Sequence, residues 1–204
     1  KSTVRQPLAE QFLMDTINKP KESSLKDVLV TPSQLKQRLP CNPGKRSLVD
    51  TQRARINRIL SRNDDRMLVI LGPCSVHDSE SALHYASKLR AVQHELSDEL
   101  ELVMRVYFEK PRSTIGWKGL INDPKLDQSN NLNQGYEAAR EILLQILEIG
   151  VACGTEYVTP YTANYIDDCI AWSAIGARTV SSQVHREFSS ALPHAVGFKN
   201  DTHG

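Results

Sequence analysis

Long apolar runs are missing from this sequence: nothing in its 204 residues approaches the ~18–20 consecutive apolar residues that a membrane span requires. Residues 1–20 hold no continuous apolar core of the secretory-signal kind, so nothing points to export. A surplus of one charge is missing as well, with Lys+Arg 25 against Asp+Glu 24 and a formal net charge of +1. That balance excludes the broad basic field of a general nucleic-acid binder. The four cysteines (Cys41, Cys74, Cys153, Cys169) include no CxxC pair and no regular spacing. At this length they read as thiols of a cytoplasmic protein rather than a disulfide frame. A nucleotide-binding glycine loop is also absent, since Gly116-Trp-Lys-Gly119 matches neither a P-loop nor GxGxxG. What is there, 40% hydrophobic and 24% charged residues, suits one substantial globular domain, or one with an appendage.

Residues 1–47 are proline-rich and lack a long periodic pattern, and they read either as an N-terminal extension that packs on something else, such as a partner subunit, or as a solvated arm. Within them a short helix fits Leu8 to Ile17. Thr31-Pro-Ser-Gln34 predicts a helix start with Thr31 as cap, Pro32 at the first helical position and Gln34 closing a capping box. From residue 48 the pattern becomes regular. Val49, Ile56, Ile59 and Leu60 form a helical stripe that leaves Arg53, Arg55 and Arg58 outside it. Met67–Leu71 is a continuous apolar run, as expected of a strand buried on both faces. Asp78 caps a helix with the stripe Ala82, Tyr85, Ala86, Leu89, Val92 and Leu96, and Leu100 to Phe108 is a second strand. After the long loop 109–131 comes a helix through Tyr136, Ala139, Leu143, Ile146 and Leu147, stopped by Gly150. A strand at Val151–Gly154, a helix capped by Thr162 with Tyr165, Ile166, Cys169 and Ile170 inward, a strand at Ile175–Arg178, a helix marked by Val184, Phe188, Ala191 and Leu192, and a strand at Ala195–Phe198 complete the series.

Strands alternating with helices at this pitch imply a parallel sheet covered by helices. An open five-stranded doubly wound sheet and part of a (β/α)8 TIM barrel both fit. The position of the polar residues separates them. Strand one leads into Gly72-Pro-Cys-Ser-Val-His77, strand two into Arg105, Lys110 and Arg112, strand three into Glu156, strand four into Arg178 and strand five into Lys199. An open sheet needs such residues only beside its switch point, whereas a barrel gathers the carboxyl end of every strand at one mouth. All five strands carry them, which favours the barrel, with residues 48–204 supplying about five β/α units.

The charges of that mouth indicate its ligand. Arg105, Lys110, Arg112, Arg178 and Lys199 face one evident anion, Glu156. Any one of these cations alone reads as a solvated loop residue, but five gathered together repel one another unless a polyanion joins them. Small ligands with several negative charges are therefore expected, held by Arg forks and Lys point charges. Cys74 and His77 have a spacing that admits a shared metal, although a cysteine after a strand is more often a small buried residue. His185 reads as a packed or carboxylate-bonded histidine with Glu187 near, and the loop 109–131 is long enough to be a lid.

Several of these segments form longer motifs: Gly72-Pro-Cys-Ser-Val-His-Asp78, Met104-Arg-Val-Tyr-Phe-Glu-Lys-Pro-Arg112, Gly116-Trp-Lys-Gly-Leu-Ile-Asn-Asp-Pro124, Gly176-Ala-Arg178, Gln183-Val-His-Arg-Glu187 and Val196-Gly-Phe-Lys-Asn200. From about residue 28 onward the sequence resembles the microbial, feedback-regulated branch of type I 3-deoxy-D-arabino-heptulosonate-7-phosphate (DAHP) synthase. The resemblance implies a (β/α)8 barrel that condenses phosphoenolpyruvate with erythrose 4-phosphate, the first step of the shikimate pathway toward chorismate and the aromatic amino acids. It also implies a divalent metal (Mn, Fe, Co or similar) with Cys74 as a ligand, an aromatic amino acid effector, and a homodimer or homotetramer in the cytoplasm. By the same resemblance Arg105, Lys110, Arg178 and Lys199 hold phosphoenolpyruvate, Glu156 polarises a water, and Lys110, Pro111, Arg112 and Ser113 hold erythrose 4-phosphate. Lys110 is then a candidate proton shuttle. Tyr157 to Asn164, with Leu192 and Pro193, correspond to the effector pocket.

The sequence departs from that family at Ser113 (usually Thr), at Val180-Ser181 (usually Thr-Glu) and at Asp201-Thr-His-Gly204 (usually Gly-Thr-Asp-Gly), and it differs through the effector segment. It begins at Lys1 and stops directly after an apparent strand, so both ends read as cut and a longer polypeptide is expected. The family's other metal ligands lie past its fifth strand, so the 204 residues alone are expected not to catalyse the condensation. Two alternatives stand beside a DAHP synthase: a non-catalytic partner or decayed paralogue that binds a phosphorylated metabolite, and an independent five-stranded binding sheet.

Overall fold

The computed structural model describes residues 28–200. The helix expected from Leu8 to Ile17 and the Asp201-Thr-His-Gly204 motif lie outside them. Two N-terminal helices, α1 (Pro32–Arg38) and α2 (Pro43–Leu60), precede β1 (Met67–Leu71), α3 (Ser79–Glu95), β2 (Leu100–Arg105), α4 (Leu132–Ile149), β3 (Ala152–Tyr157), α5 (Tyr161–Ile166) with a 3-10 turn (Asp167–Cys169), β4 (Trp172–Ile175), α6 (Gln183–Ser190) and β5 (Ala195–Phe198). The five strands are all parallel and lie in the order β1-β2-β3-β4-β5. A doubly wound sheet reverses its strand order at a switch point. This sheet never reverses, so it is the singly wound arc of a barrel.

Local chemistry sets the helix ends. Thr31 accepts from Gln34 N at 3.3 Å while the Gln34 side chain accepts from Thr31 N at 3.0 Å, completing the expected capping box. Asn42 caps α2, which begins at Pro43 rather than near residue 48, because Pro43 supplies a preset first helical turn. Asp78 caps α3 through Ser81 N at 2.7 Å, and Gly150 ends α4 in the left-handed region at φ 89°. Along α4, Tyr136, Ala139, Ile142, Leu143, Ile146 and Leu147 are buried against the sheet. Each large apolar member contributes roughly 1.5–3 kcal/mol by leaving water. Among the described residues no helix is long and apolar enough to cross a membrane.

Several expectations need correction. Strand β2 ends at Arg105 rather than Phe108. Strand β3 runs on to Tyr157, so Glu156 is a strand residue and not a loop residue. Strand β4 lies at Trp172–Ile175, which leaves Gly176-Ala-Arg178 as the loop after it. Strand β1 is only partly buried, because β2 is its one sheet neighbour among the described residues. Thr162 does not cap α5. It sits inside that helix, buried, where its hydroxyl meets those of Thr159 (2.9 Å) and Tyr136 (3.4 Å). Leu60, Val92 and Val184 are exposed, and α6 turns His185 and Ser189 inward instead. Arg53 is buried, donating to the carbonyls of Asp167 (2.6 Å) and Ile170 (2.9 and 3.0 Å) in and beside the 3-10 turn.

Two apolar layers result from the strand alternation. Leu102, Met104, Cys153, Tyr157 and Ile175 join the large core beneath the helices. Val103, Ala152 and Ala171 pack with Ile56 in a smaller one, flanked by Leu68, Ile70, Trp172 and Ala195. Helix α2 touches both outer strands, β1 and β5.

Buried His194 gives one pH signature. Its Nε2 lies 3.0 Å from Ser173 Oγ, while Nδ1 has no partner. Burial first, then the charge of Arg53, lowers it from 6.5 to about 4. The folded state therefore binds fewer protons than the unfolded chain between those two values. This stabilisation is complete above pH 6.5 and is lost as the pH falls toward 4; at about 1.4 kcal/mol per unit it amounts to about 3 kcal/mol. Thermal unfolding from pH 7 to 4 should fall less steeply for His194→Gln than for the parent, and equal slopes would refute the assignment.

Candidate active site

The strand face opposite the helices carries Val103, Arg105 and, just past β2, Tyr107. From the next strands come Gly154 and Glu156, then Trp172 and Ala174, then Gly197, with Lys199 following β5. At the amino ends this face is apolar. At the carboxyl ends it is charged. There a cavity of about 500 Å³ is lined by Cys74, Arg105, Tyr107, Lys110, Pro111, Arg112, Glu156, Tyr157, Arg178 and Lys199, among others. The five predicted cations, the predicted carboxylate and Cys74 thus share one mouth. Ser113 is exposed on the loop beyond Arg112 and is not among the lining residues.

Glycines make room for this arrangement. A Cβ on Gly176 would lie 2.6 Å from Glu156 Oε1. A Cβ on Gly197 would lie 2.5 Å from the Trp172 indole, and one on Gly72 would press the Arg105 backbone at 3.0 Å. Gly119, at φ 104°, lets the loop after β2 fold back so closely that a Cβ would sit 2.1 Å from Phe108 O. Two backbone bonds hold that return, Lys110 N to Lys118 O at 2.9 Å and Ile121 N to Phe108 O at 3.3 Å. The Trp117 indole adds a bond to Asp123 O at 2.9 Å.

Glu156 pairs with Lys199. The Arg105 guanidinium lies 4.4 Å from the Tyr107 ring centroid and Lys199 Nζ lies 5.3 Å from it, so one aromatic face steadies two cations. Arg105 Nε is buried without a protein partner. Arg178 Nη1 donates to Pro111 O at 2.6 Å, tying the β4 loop to the β2 loop. Lys110 Nζ donates to Cys74 O at 2.8 Å and to Cys74 Sγ at 3.1 Å. That bond and the charge of Lys110 lower the Cys74 thiol from its ordinary range.

Cys74 therefore fits a divalent metal in type, being exposed, at the mouth and biased toward thiolate. One sulfur is not a coordination sphere, and among the described residues no group of three ligand atoms gathers around it. His77 does not join Cys74: its Nε2 turns to Asp78 Oδ2 at 2.9 Å and it lines a separate small cavity. His185 bonds Ser182 Oγ and the Val158 carbonyl, each at 3.0 Å, rather than Glu187, since the Val158 carbonyl faces α6. Of the effector residues, Tyr157 is fully buried and meets Phe188 edge-on at 5.5 Å. Asn164 and Pro193 are exposed and Leu192 is half-buried against the core.

Sequence reasoning missed three supporting residues. Tyr107 lies two positions beyond Arg105, and strand alternation alone would have placed it on the same face. Buried Glu109 accepts from Val158 N at 3.2 Å and from the Thr159 hydroxyl, bracing the loop after β3. Gly176 could be found only from the partner strand's carboxylate.

A parallel, singly wound sheet with a cationic mouth around Glu156 at its strand ends is the pattern of a partial (β/α)8 barrel. The comparisons with known proteins narrow this. Residues 38–203 match the model of the DAHP synthetase I family, and the chain belongs to that family. It is 51% identical over 176 residues to the phospho-2-dehydro-3-deoxyheptonate aldolase, Trp-sensitive, of Escherichia coli K12, covering 86% of this chain and 51% of that protein. The Phe-sensitive protein of the same strain is 50% identical, with 86% and 50% covered. A solved phospho-2-dehydro-3-deoxyheptonate aldolase from Francisella tularensis SCHU S4 superposes with a TM-score of 0.85 at 44% identity, covering 90% of this chain and 53% of that one. The chain spans about half the length of the relatives it matches.

Proposed function

We propose that the protein carrying this chain is a cytoplasmic DAHP synthase that condenses phosphoenolpyruvate with erythrose 4-phosphate. The observation that carries this reading is the single mouth lined by Arg105, Lys110, Arg112, Arg178 and Lys199 around Glu156, a charge pattern suited to two phosphorylated substrates. It leaves the decayed-paralogue alternative without support, since no charged member of the set is displaced from the mouth. Residues 1–47 are proposed as the regulatory and oligomerisation arm and 48–204 as part of the catalytic barrel. The assembly is proposed as a homodimer or homotetramer.

Arg105, Lys110, Arg178 and Lys199 hold the phosphate and carboxylate of phosphoenolpyruvate. Lys110, Pro111, Arg112 and Ser113 hold erythrose 4-phosphate. Cys74, with further ligands, would hold a divalent metal, which would supply Lewis-acid polarisation of the aldehyde. Lys110, common to both binding sets, carries a proton to the new hydroxyl, while Glu156, held by Lys199, orients the water that adds to the phosphoenolpyruvate carbon. The mouth cations stabilise charge on both phosphates as carbon–carbon bonding proceeds.

Loss of phosphoenolpyruvate absorbance that depends on erythrose 4-phosphate, measured on the full polypeptide with added manganese, should reveal this activity. Its absence with manganese, iron and cobalt alike would overturn the reading. Tryptophan, phenylalanine and tyrosine are each tested in the same assay, and one aromatic amino acid is expected to inhibit. Gly176→Ala should lower kcat/KM by roughly 10²-fold, because the new methyl displaces Glu156 from its place beside Lys199. Its melting temperature should stay close to the parent's, and unchanged kinetics would remove Glu156 from the water-orienting role.

A further inference from the structure

At the far end of the sheet from the mouth, three potential ligand groups converge: Cys41, between α1 and α2, and Asp168 and Cys169, in the 3-10 turn before β4. Their ligand atoms lie within 4.8 Å of one another. Cys169 is fully buried, while Cys41 is partly accessible and packs against the same core. The charges beside them argue against a metal. Arg140 is itself fully buried, forks onto both Asp168 oxygens at 2.7 Å and comes within 3.9 Å of Cys169 Sγ. Lys36 Nζ stands 3.7 Å from Asp168. A dication there would face two fixed cations and compete for a carboxylate already taken. A bond between the two sulfurs adds no charge and leaves the Arg140–Asp168 pair intact.

We propose that Cys41 and Cys169 form a reversible intramolecular disulfide, with Cys41 as the attacking thiol and Cys169 as the resolving one. The order follows from access: a small-molecule disulfide reaches Cys41 from solvent and cannot reach Cys169. The hydrogen bond with Cys169 lowers the Cys41 thiol, burial and Asp168 opposing and Arg140 and Arg46 assisting, and the same bond, with burial, raises Cys169. The lowered thiol is the better attacking nucleophile at neutral pH. The oxidant is a low-molecular-weight disulfide of the glutathione kind. Cys41 loses its proton to solvent and its sulfur attacks one glutathione sulfur. The glutathione S–S bond breaks and the departing thiolate takes a proton. Cys169 then loses its proton as its sulfur attacks the Cys41 sulfur, expelling the second glutathione, which is protonated in turn. Two protein thiols are oxidised and one glutathione disulfide is reduced to two thiols.

The bond would clamp the loop between α1 and α2 to the turn before β4, elements distant in sequence, and so constrain the unfolded chain strongly. The test uses the full polypeptide in glutathione buffers from fully reduced to fully oxidised, followed by alkylation and peptide mass spectrometry. The expected result is a Cys41–Cys169 link within one chain, reversed by reduction, with the melting temperature rising by about 5–10 °C. In Cys41→Ser the melting temperature should become insensitive to the buffer; the parent's link is read without any variant that alters the buried Cys169. A stable glutathione adduct on Cys41 with Cys169 free would overturn the proposal, as would two free thiols across the whole range. Zinc added alone to the reduced protein, if it protects both thiols from alkylation, would overturn it in favour of a metal site.

Discussion

Lys110→Met is expected to lower kcat/KM by roughly 10³-fold or more, combining the loss of a proton-transfer group with the loss of a phosphate contact. A second readout does not depend on turnover. Lys110 Nζ is the group 3.1 Å from Cys74 Sγ and the largest cause of that thiol's lowered pKa. Without it the thiol returns toward its ordinary range, so alkylation of Cys74 at neutral pH should slow in the variant. The two measurements separate two roles. An unchanged pH–rate profile in Lys110→Met or Lys110→Gln with residual activity would remove the proton shuttle, while a slower Cys74 alkylation would still establish that Lys110 tunes the thiol. Alkylation at the parent's rate would mean that the lysine does not hold the sulfur in solution.

The largest expected effect on stability lies elsewhere. Arg140 is fully buried and donates to Leu39 O at 2.6 Å, to Tyr165 O at 2.8 Å and to both Asp168 oxygens. It therefore joins the loop after α1 to α5 and the 3-10 turn. Arg140→Ala leaves Asp168 and two carbonyls without their donor and is expected to cost about 3–5 kcal/mol. For a chain of this size that lowers the melting temperature by about 10 °C. Replacing both charges, as in Arg140→Met with Asp168→Leu, should recover much of the loss, since the penalty belongs mostly to the charge left alone. Thermal unfolding by circular dichroism decides it. A single variant no less stable than the double would show that the pair is not the source of the cost.

Much of the fold was legible because the barrel's pattern is local. Met67–Leu71 and Ala195–Phe198 are short apolar runs bounded by polar residues, and both strands fall where the pattern put them. Strand β3 was read too short because Thr155-Glu-Tyr157 looks like the start of a loop. The polar residue is held in the strand by its pairing with Lys199, which follows β5. Strand β4 lies three residues before the expected Ile175–Arg178, and Gly176 is instead the loop residue that clears space for Glu156. The burial of Arg53 had no local sign at all: its acceptors, the carbonyls of Asp167 and Ile170, are more than a hundred residues away. At the mouth, charge and position after each strand were readable. The Arg105–Tyr107 stacking and the bracing by Glu109 required knowing which loops meet.

The unreversed strand order also bears on how the chain assembles. Each strand pairs with its neighbour in sequence, so every ladder closes over a single β/α unit and none waits for a distant partner. Such a sheet can grow at one edge, in the order in which the chain is made. Helix α2 behaves differently, because it touches β5 as well as β1. It precedes all five strands in the chain, yet its packing is complete only when the fifth strand has docked.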